Sequence, residues 1–250
     1  MGCSGAGLVA ISVLFVAVVL STVSMILPAW STSTVAMATD TADFTAGVWG
    51  YCTNIDLHAN VIDNPEAKGV SFDHCYFFHT ASEYELPDEL VSNKALLANF
   101  SRYSLCEGYD HVSAQGDTEV AAYSQSLASI ARLDAGQFDK FLDRSCGPLG
   151  STTLVFASLS IVSGVFAWIA LVLGITCCKN KSAFIAAGKI LAGGAFATTL
   201  VTFFAWLAQA HPLSKKDRVS VSDSFILSVV AAVLYAVVAV LAARHAKMGA

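Results

Sequence analysis

Residues 8–27, 153–176, 185–208 and 225–243 are four apolar runs, broken by a single charge at Lys189. Each is about 20 residues long, the length a helix needs to cross roughly 30 Å of hydrocarbon. Helices are the expected form, because in lipid each backbone donor and acceptor must find its partner inside the segment. A β-barrel would instead show short alternating strands. Composition agrees: 55% of the 250 residues are hydrophobic and 13% are charged, about half the charge of an ordinary soluble domain. The first run could be mistaken for a secretory signal. Residues 1–7 hold no basic side chain, and the run is longer than the apolar centre of a signal, so a retained helix is expected.

The cysteines suggest which side of the membrane each connection occupies. Cys52, Cys75, Cys106 and Cys146 fall between the first two spans, whereas Cys3, Cys177 and Cys178 lie beside span ends. An even set in one loop points to disulfides and therefore to an oxidising compartment. Asn99-Phe100-Ser101 in the same loop is a glycosylation sequon, usable only on the lumenal side. The expected fold is an all-α membrane protein: a four-helix transmembrane bundle with a small extracytoplasmic β-sheet and a helical insertion in the first outer loop. In chain order this gives a cytoplasmic N-terminus at 1–7, a first span at 8–27 and a large outer loop at 28–152, with sheet over 29–80 and helices over 87–146. A second span at 153–176, a cytoplasmic turn at 177–184 and a third span at 185–208 follow. A second outer loop at 209–224, a fourth span at 225–243 and a cytoplasmic tail at 244–250 complete it. Both termini are then cytoplasmic, and the sequon at Asn180 stays unmodified. Lys179, Lys181, Lys189, Arg244 and Lys247 follow the positive-inside bias, but Lys215, Lys216 and Arg218 in the second outer loop oppose it.

Within the large loop, β-favouring residues predict strands over 29–35, 44–53 and 70–80, with surface-turn composition over 54–69. From Pro87 the period becomes helical, Leu90, Val91, Leu97 and Phe100 sharing one face. A second helix is expected to start at Asp117 or Thr118 and to bury Val120, Tyr123, Leu127, Ile130 and Ala131. A third buries Phe138, Phe141 and Leu142. Few residues separate the second and third spans, so these pair as antiparallel neighbours. Ser160 with Gly164, and Gly193 with Ala197, provide small residues four apart at which helices pack closely.

The chemistry of the spans is limited. Transport needs ionisable groups near the bilayer midplane, and Lys189 stands near a cytoplasmic end, where its stem reaches the headgroups. No helical His pair, nucleophile elbow, phosphate loop or Cys-x-x-Cys is present, so the chain is expected not to be an enzyme and to use no cofactor. Asp73, His74, Cys75, His79 and Cys106 would supply zinc-type ligands, but extracytoplasmic cysteines more often pair as disulfides.

The most specific run is Phe44-Thr45-Ala46-Gly47-Val48-Trp49-Gly50-Tyr51-Cys52, preceded by Trp30 and followed by Cys75. Physically, an aromatic at the lipid boundary anchors a strand and a disulfide pins a hairpin. With four spans around it, this run resembles the claudin and peripheral myelin protein superfamily, whose first outer loop holds a Trp, then Gly-Leu-Trp, two residues, Cys, and a second Cys closing a disulfide. Trp30, Gly47, Val48, Trp49, Cys52 and Cys75 match that order, with Val in place of Leu. The loop is more than twice as long as is typical of claudins and the Cys52 to Cys75 spacing is wider. In this it resembles the fungal and protist four-span relatives, of the eisosome-associated kind, that organise plasma-membrane domains. Three disulfide connectivities are open to four cysteines. Chain order favours Cys52 with Cys75 and Cys106 with Cys146.

Cys177 and Cys178 stand beside Lys179 at a span end, a setting for palmitoylation. Met1-Gly2-Cys3 begins like a myristoylation signal but has Ala6 where Ser or Thr is wanted. Between Asp40 and Arg144 there are 17 Asp and Glu against 6 Lys and Arg, a surface that solvates a domain and gathers cations. The C-terminal residues lack the apolar ending by which claudins engage junctional scaffolds. The expected function is non-enzymatic: a claudin-like glycoprotein of the plasma membrane that self-associates to organise a membrane domain or a cell-cell contact by adhesion. The alternative is an auxiliary subunit of a channel or receptor. The expected partners are the lipid bilayer, further copies of the chain as a homo-oligomer, and other membrane proteins, with no nucleic acid.

Overall fold

The structure is a computed structural model and describes residues 5–36, 40–57, 70–81, 102–177, 181–214 and 219–248. In chain order its elements are α1 (Gly5–Ile26), β1 (Ser31–Ala36), β2 (Asp40–Gly47), β3 (Gly50–Leu57), β4 (Val70–Phe77), α2 (Leu105–Ser113), α3 (Asp117–Ala131), α4 (Ala135–Cys146), α5 (Pro148–Val172), α6 (Lys181–Ala210), β5 (Ser220–Val221) and α7 (Asp223–Met248). A single π-helical turn, Leu173–Cys177, prolongs α5. They belong to two compact units, one made of Met1–Leu27, Thr152–Ala205 and Asp223–Ala250, the other of Pro28–Ser151 and Trp206–Ser222.

The first unit is helical. Its helices α1, α5, α6 and α7 are each long and apolar enough to cross a membrane. They carry apolar residues all round, with no polar stripe. Hydroxyl side chains do not disturb them, because each can return its donor to the carbonyl one turn back: Thr22 to Val18 at 2.8 Å, Ser158 to Leu154 at 2.9 Å and Thr202 to Thr198 at 3.0 Å. Helix α1 lies along α7. The core draws Leu14 and Ala17 from α1, Ala167 and Leu171 from α5, Ala192 and Ala195 from α6, and Ala231, Tyr235 and Val238 from α7. The alanines let the helix backbones approach closely. Phe15, Val19, Val155, Phe166, Ile169, Phe204, Val233 and Val240 face outward.

The second unit holds an antiparallel sheet in the order β4-β3-β2-β1-β5. Its register pairs Ser31 with Ala46, Phe44 with Thr53, and Thr53 with His74. Period-two alternation puts Phe44, Ala46, Tyr51, Thr53, Ile55 and Tyr76 on one buried face. Helix α3 covers that face, packing on β2 and β3, and α4 packs on α3. Ser104 caps α2, accepting from the backbone N–H of Glu107 at 3.3 Å, and Asp134 caps α4, accepting from Gln137 at 3.1 Å, the usual satisfaction of orphan donors at a helix start. Arg132 closes α3 with a left-handed backbone, φ 53°.

One expectation about the sheet is corrected. The stretch 44–53 is not a single strand but the hairpin of β2 and β3, turning at Val48 and Trp49. Gly47 and Gly50 bracket that turn. A Cβ at Gly50 would collide with the carbonyl of Tyr76, so the neighbouring strand can lie this close only against glycine. The helix expected from Pro87 lies outside the described residues.

Candidate functional site

The register of β3 and β4 places Cys52 directly opposite Cys75, and the two form a disulfide. A second disulfide joins Cys106 at the start of α2 to Cys146 at the end of α4. These are the pairs that chain order favoured, and each has a different mechanical role. The first lies on the sheet face opposite the helices and fastens strands that the ladder already pairs. The second closes a longer loop and clamps the helical layer, a constraint that acts mainly by limiting the unfolded chain.

Beneath the covered face lies a cluster of aromatic rings. Tyr51 stacks on Tyr76 at 5.0 Å and meets Phe138 edge-on at 5.3 Å, while Phe44 contacts Phe138 and Phe141, each at 6.5 Å. Such offset and edge-to-face pairs add to the area the rings bury. Trp30 was expected at the lipid boundary. The structure corrects this: Trp30 is 2% exposed, packs edge-on against Trp206 at 5.8 Å, and its backbone N–H donates to Ala46. The indole N–H of Trp206 donates to Ser31 Oγ at 3.1 Å. Trp30 is thus a core residue of the second unit, and of the motif residues it is Trp49, 39% exposed, that reaches the surface. Val48 is buried, and the Trp49 carbonyl accepts from the Phe78 N–H at 2.8 Å, tying the hairpin turn to the end of β4.

The zinc-type cluster is not assembled as a thiolate site. Cys75 and Cys106 belong to different disulfides, so neither sulfur offers a lone thiolate. Among the described residues no group of three or more His, Cys, Asp and Glu side chains is placed to hold a metal ion. An open cleft of about 420 Å³ is lined by His79, Ser104, Cys106, Glu107, Asp110 and His111, with the Tyr103 ring 4.9 Å from that of His111. Its carboxylates and imidazoles are exposed to water, which leaves it polar and shallow.

Two titrating groups of this unit are perturbed. Burial pushes the His74 imidazole below its ordinary value, with Asp73 pulling the other way. His74 meets the Tyr76 ring at 4.8 Å. Burial, and then the carboxylates of Asp139 and Asp143, push Tyr109 well up. Asp139 accepts from Ser124 at 2.7 Å and from Tyr109 at 3.4 Å, joining α2, α3 and α4 through one half-buried carboxylate.

Among the described residues of the first unit no charged side chain is buried. Instead, one hydroxyl from each helix meets its neighbours in the interior. Ser21 of α1 donates to Tyr235 of α7 at 3.2 Å. Tyr235 is hydrogen-bonded to Ser160 of α5, and Ser160 and Thr199 of α6 are 2.6 Å apart. Thr199 and Ser160 both donate to the Ala195 carbonyl, at 2.7 and 3.2 Å. Gly164 makes room for this: a Cβ there would lie 2.5 Å from the Tyr235 oxygen. Close packing at Ser160 and Gly164 is therefore observed. At Gly193 and Ala197 it is not, which corrects the second expectation: a Cβ on Gly193 or Gly194 would meet nothing within 4 Å, and Ala197 is exposed.

Asn99 and Cys178 lie outside the described residues, and Cys177 closes the π turn. No protein-family model matches the chain, and no curated protein matches it.

Proposed function

We propose that this chain is a multi-pass protein of the plasma membrane, claudin-like in layout, that acts without catalysis by associating with further copies of itself. Helices α1, α5, α6 and α7 span the bilayer in this reading, with the termini cytoplasmic. The disulfide-bearing unit faces the extracytoplasmic side, where cystines persist and Asn99 is open to glycosylation. Cys177 and Cys178 fall at the cytoplasmic border, where palmitoylation would reinforce anchoring.

The observation that carries self-association is the uneven outer surface of the helices. Helices α1, α5 and α7 turn bulky side chains outward along their whole length, whereas the first two thirds of α6 carry exposed Ala183, Ala186, Ala187 and Ala197 and half-buried Gly193 and Gly194 around Ile190, with Lys189 beside them and the bulky Val201, Phe204 and Leu207 exposed further along the helix. Ile190 is 69% exposed, and the two glycines beside it have open space above them. Small residues flanking one large one allow close backbone approach in lipid. The same patch on two copies would be self-complementary about a two-fold axis along the membrane normal. The resemblance to claudins supports the same reading, since four apolar helices accompany a sheet that carries Trp30, Gly47, Val48, Trp49, Cys52 and Cys75.

The test is stoichiometry in lipid nanodiscs, by single-molecule photobleaching of the wild type and of the Gly193→Leu/Gly194→Leu double variant. Wild-type dimers or larger species, reduced to monomers in the variant, are expected. A strictly monomeric wild type, with no homotypic crosslinks in native membranes, overturns the proposal. If instead a channel or receptor copurifies in fixed ratio, the chain is an auxiliary subunit.

A further inference from the structure

Among the described residues of the second unit, the large apolar side chains that face outward are Trp49, Phe77, Tyr103, Leu207 and Val221. Three of these five gather at one end of the sheet. The register fixes this: Ser31 pairs with both Ala46 and Val221, Gly47 pairs with Gly50, and Gly50 pairs with Phe77. Val221, Trp49 and Phe77 therefore mark one edge across all the strands, at exposures of 49%, 39% and 40%.

The polar groups of the open face lie further along the strands. The row Asp43, Asn54 and Asp73 crosses β2, β3 and β4, and all three side chains are exposed. Asn54 is four residues beyond Gly50, about 13 Å at the rise of a strand. The sheet is thus amphipathic along its strand axis, apolar at one end and acidic beyond it, in addition to the usual contrast between its two faces.

The apolar end is also where the chain joins the apolar helices. Only residues 27–30 separate α1 from β1, and only Ser222 separates β5 from α7. Outward-facing apolar side chains continue along the chain on both sides of these links, with Ile26 and Leu27 before β1 and Ile226 after β5. Exposed apolar groups are informative when they gather in one place rather than lie scattered. Trp in particular favours the level of lipid headgroups, where a ring can be buried while its N–H stays hydrated.

We infer that Trp49, Phe77 and Val221 form a lipid-contacting rim, by which this end of the sheet is seated in the headgroup layer of the same membrane that the helices cross. The inference rests on the membrane-spanning reading and adds a second, peripheral contact with lipid. It also reassigns the anchoring role, since Trp30 is enclosed by protein and Trp49 is the motif tryptophan free to meet lipid. The partner is the phospholipid interface itself, and the acidic row is held away from it in water.

Tryptophan fluorescence in phosphatidylcholine nanodiscs tests this on the full chain, because the chain has four tryptophans and two of them report separate questions. Spectra of Trp49→Phe and Trp168→Phe are subtracted from the wild type, using lipids spin-labelled either near the headgroup or near the acyl-chain end, and aqueous iodide. The Trp49 contribution should be quenched most by the headgroup label and little by iodide. Quenching by iodide and by neither lipid label overturns the rim. Trp168, within α5, is the control. If it is quenched by lipid labels while Trp49 answers only to iodide, the rim fails and the membrane reading stands. If neither residue senses the lipid labels, the membrane reading fails and the rim with it.

Discussion

The helical unit and the sheet-bearing unit keep their elements together by different chemistry, and the difference follows from what each must do with polar atoms. In the helical unit the backbone groups in the body of each helix pair within that helix, so the helices are joined through side chains: alanine-rich contacts, the hydroxyl chain of Ser21, Tyr235, Ser160 and Thr199, and hydroxyl donors to carbonyls on a neighbouring helix. If the helices cross a membrane as proposed, each interhelical hydroxyl bond is worth about 0.6 kcal/mol on average, so this unit depends on fit. In the sheet-bearing unit the backbone ladder itself joins the strands, an aromatic core fills the space beneath them, and two disulfides close the chain. That unit depends on buried mass and covalent closure. Helix packing should therefore respond most to added volume, and the sheet unit most to volume removed.

The largest effect is expected at Phe138, which is fully buried and touches Phe44, Tyr51 and Phe141. Phe138→Ala should cost about 3–5 kcal/mol, seen as lost hydrogen-exchange protection over β2, β3 and α4 while the apolar helices keep theirs. Equal loss in both units would break the contrast. A smaller effect of opposite origin is expected at Gly164. Gly164→Val pushes Cβ into the Tyr235 hydroxyl and Val18, so it should destabilise helix packing by roughly 1–3 kcal/mol, as overpacking does. Tyr235→Phe added to it should recover part of that loss by removing the clashing oxygen, measured as the midpoint of denaturation in mild detergent. No recovery would mean that the strain is not at this contact.

How far the sequence carries this picture differs between the units in the same way. The apolar helices were legible because about 20 consecutive apolar residues have few other fates, but which small residues pack was not. Ser160 with Gly164 and Gly193 with Ala197 have the same spacing, and only the three-dimensional arrangement separates the packed pair from the open one. In the sheet unit the buried faces of α3 and α4 were readable from Tyr123, Leu127, Phe138 and Phe141 at helical intervals. The hairpin within 44–53 had a signal that composition obscured, namely glycines at 47 and 50 on either side of the turn. Helix α2 also had one, a Ser104 cap with Glu107 three residues on. Strand β5 had none, since two residues carry no period, and it exists because β1 offers an unpaired edge. The burial of Trp30 was equally hidden: its partner Trp206 lies far along the chain, and a tryptophan beyond an apolar helix reads from sequence alone as an interfacial anchor.

The smallest expected effect is a pH dependence confined to the sheet unit. His74 stands on β4 between Phe72 and Tyr76 and opposite Thr53. Desolvation lowers its pKa and Asp73, its neighbour in the chain, partly offsets this. With the folded value depressed, the imidazole is neutral in both states above about pH 6.5, the ordinary histidine value, and stability there does not depend on it. As the pH falls through 6.5 the unfolded chain takes up the proton first, so stability declines until the folded value is passed, and below that it levels. Hydrogen-exchange protection of β3 and β4 should therefore fall as the pH drops below about 6.5. His74→Gln should flatten that dependence. The interior of the apolar helices, which carries hydroxyls where the sheet unit carries an imidazole, should show no matching change over this range. If it does, the separation between a helical unit held by fit and a sheet unit that carries a half-buried, titratable imidazole is wrong.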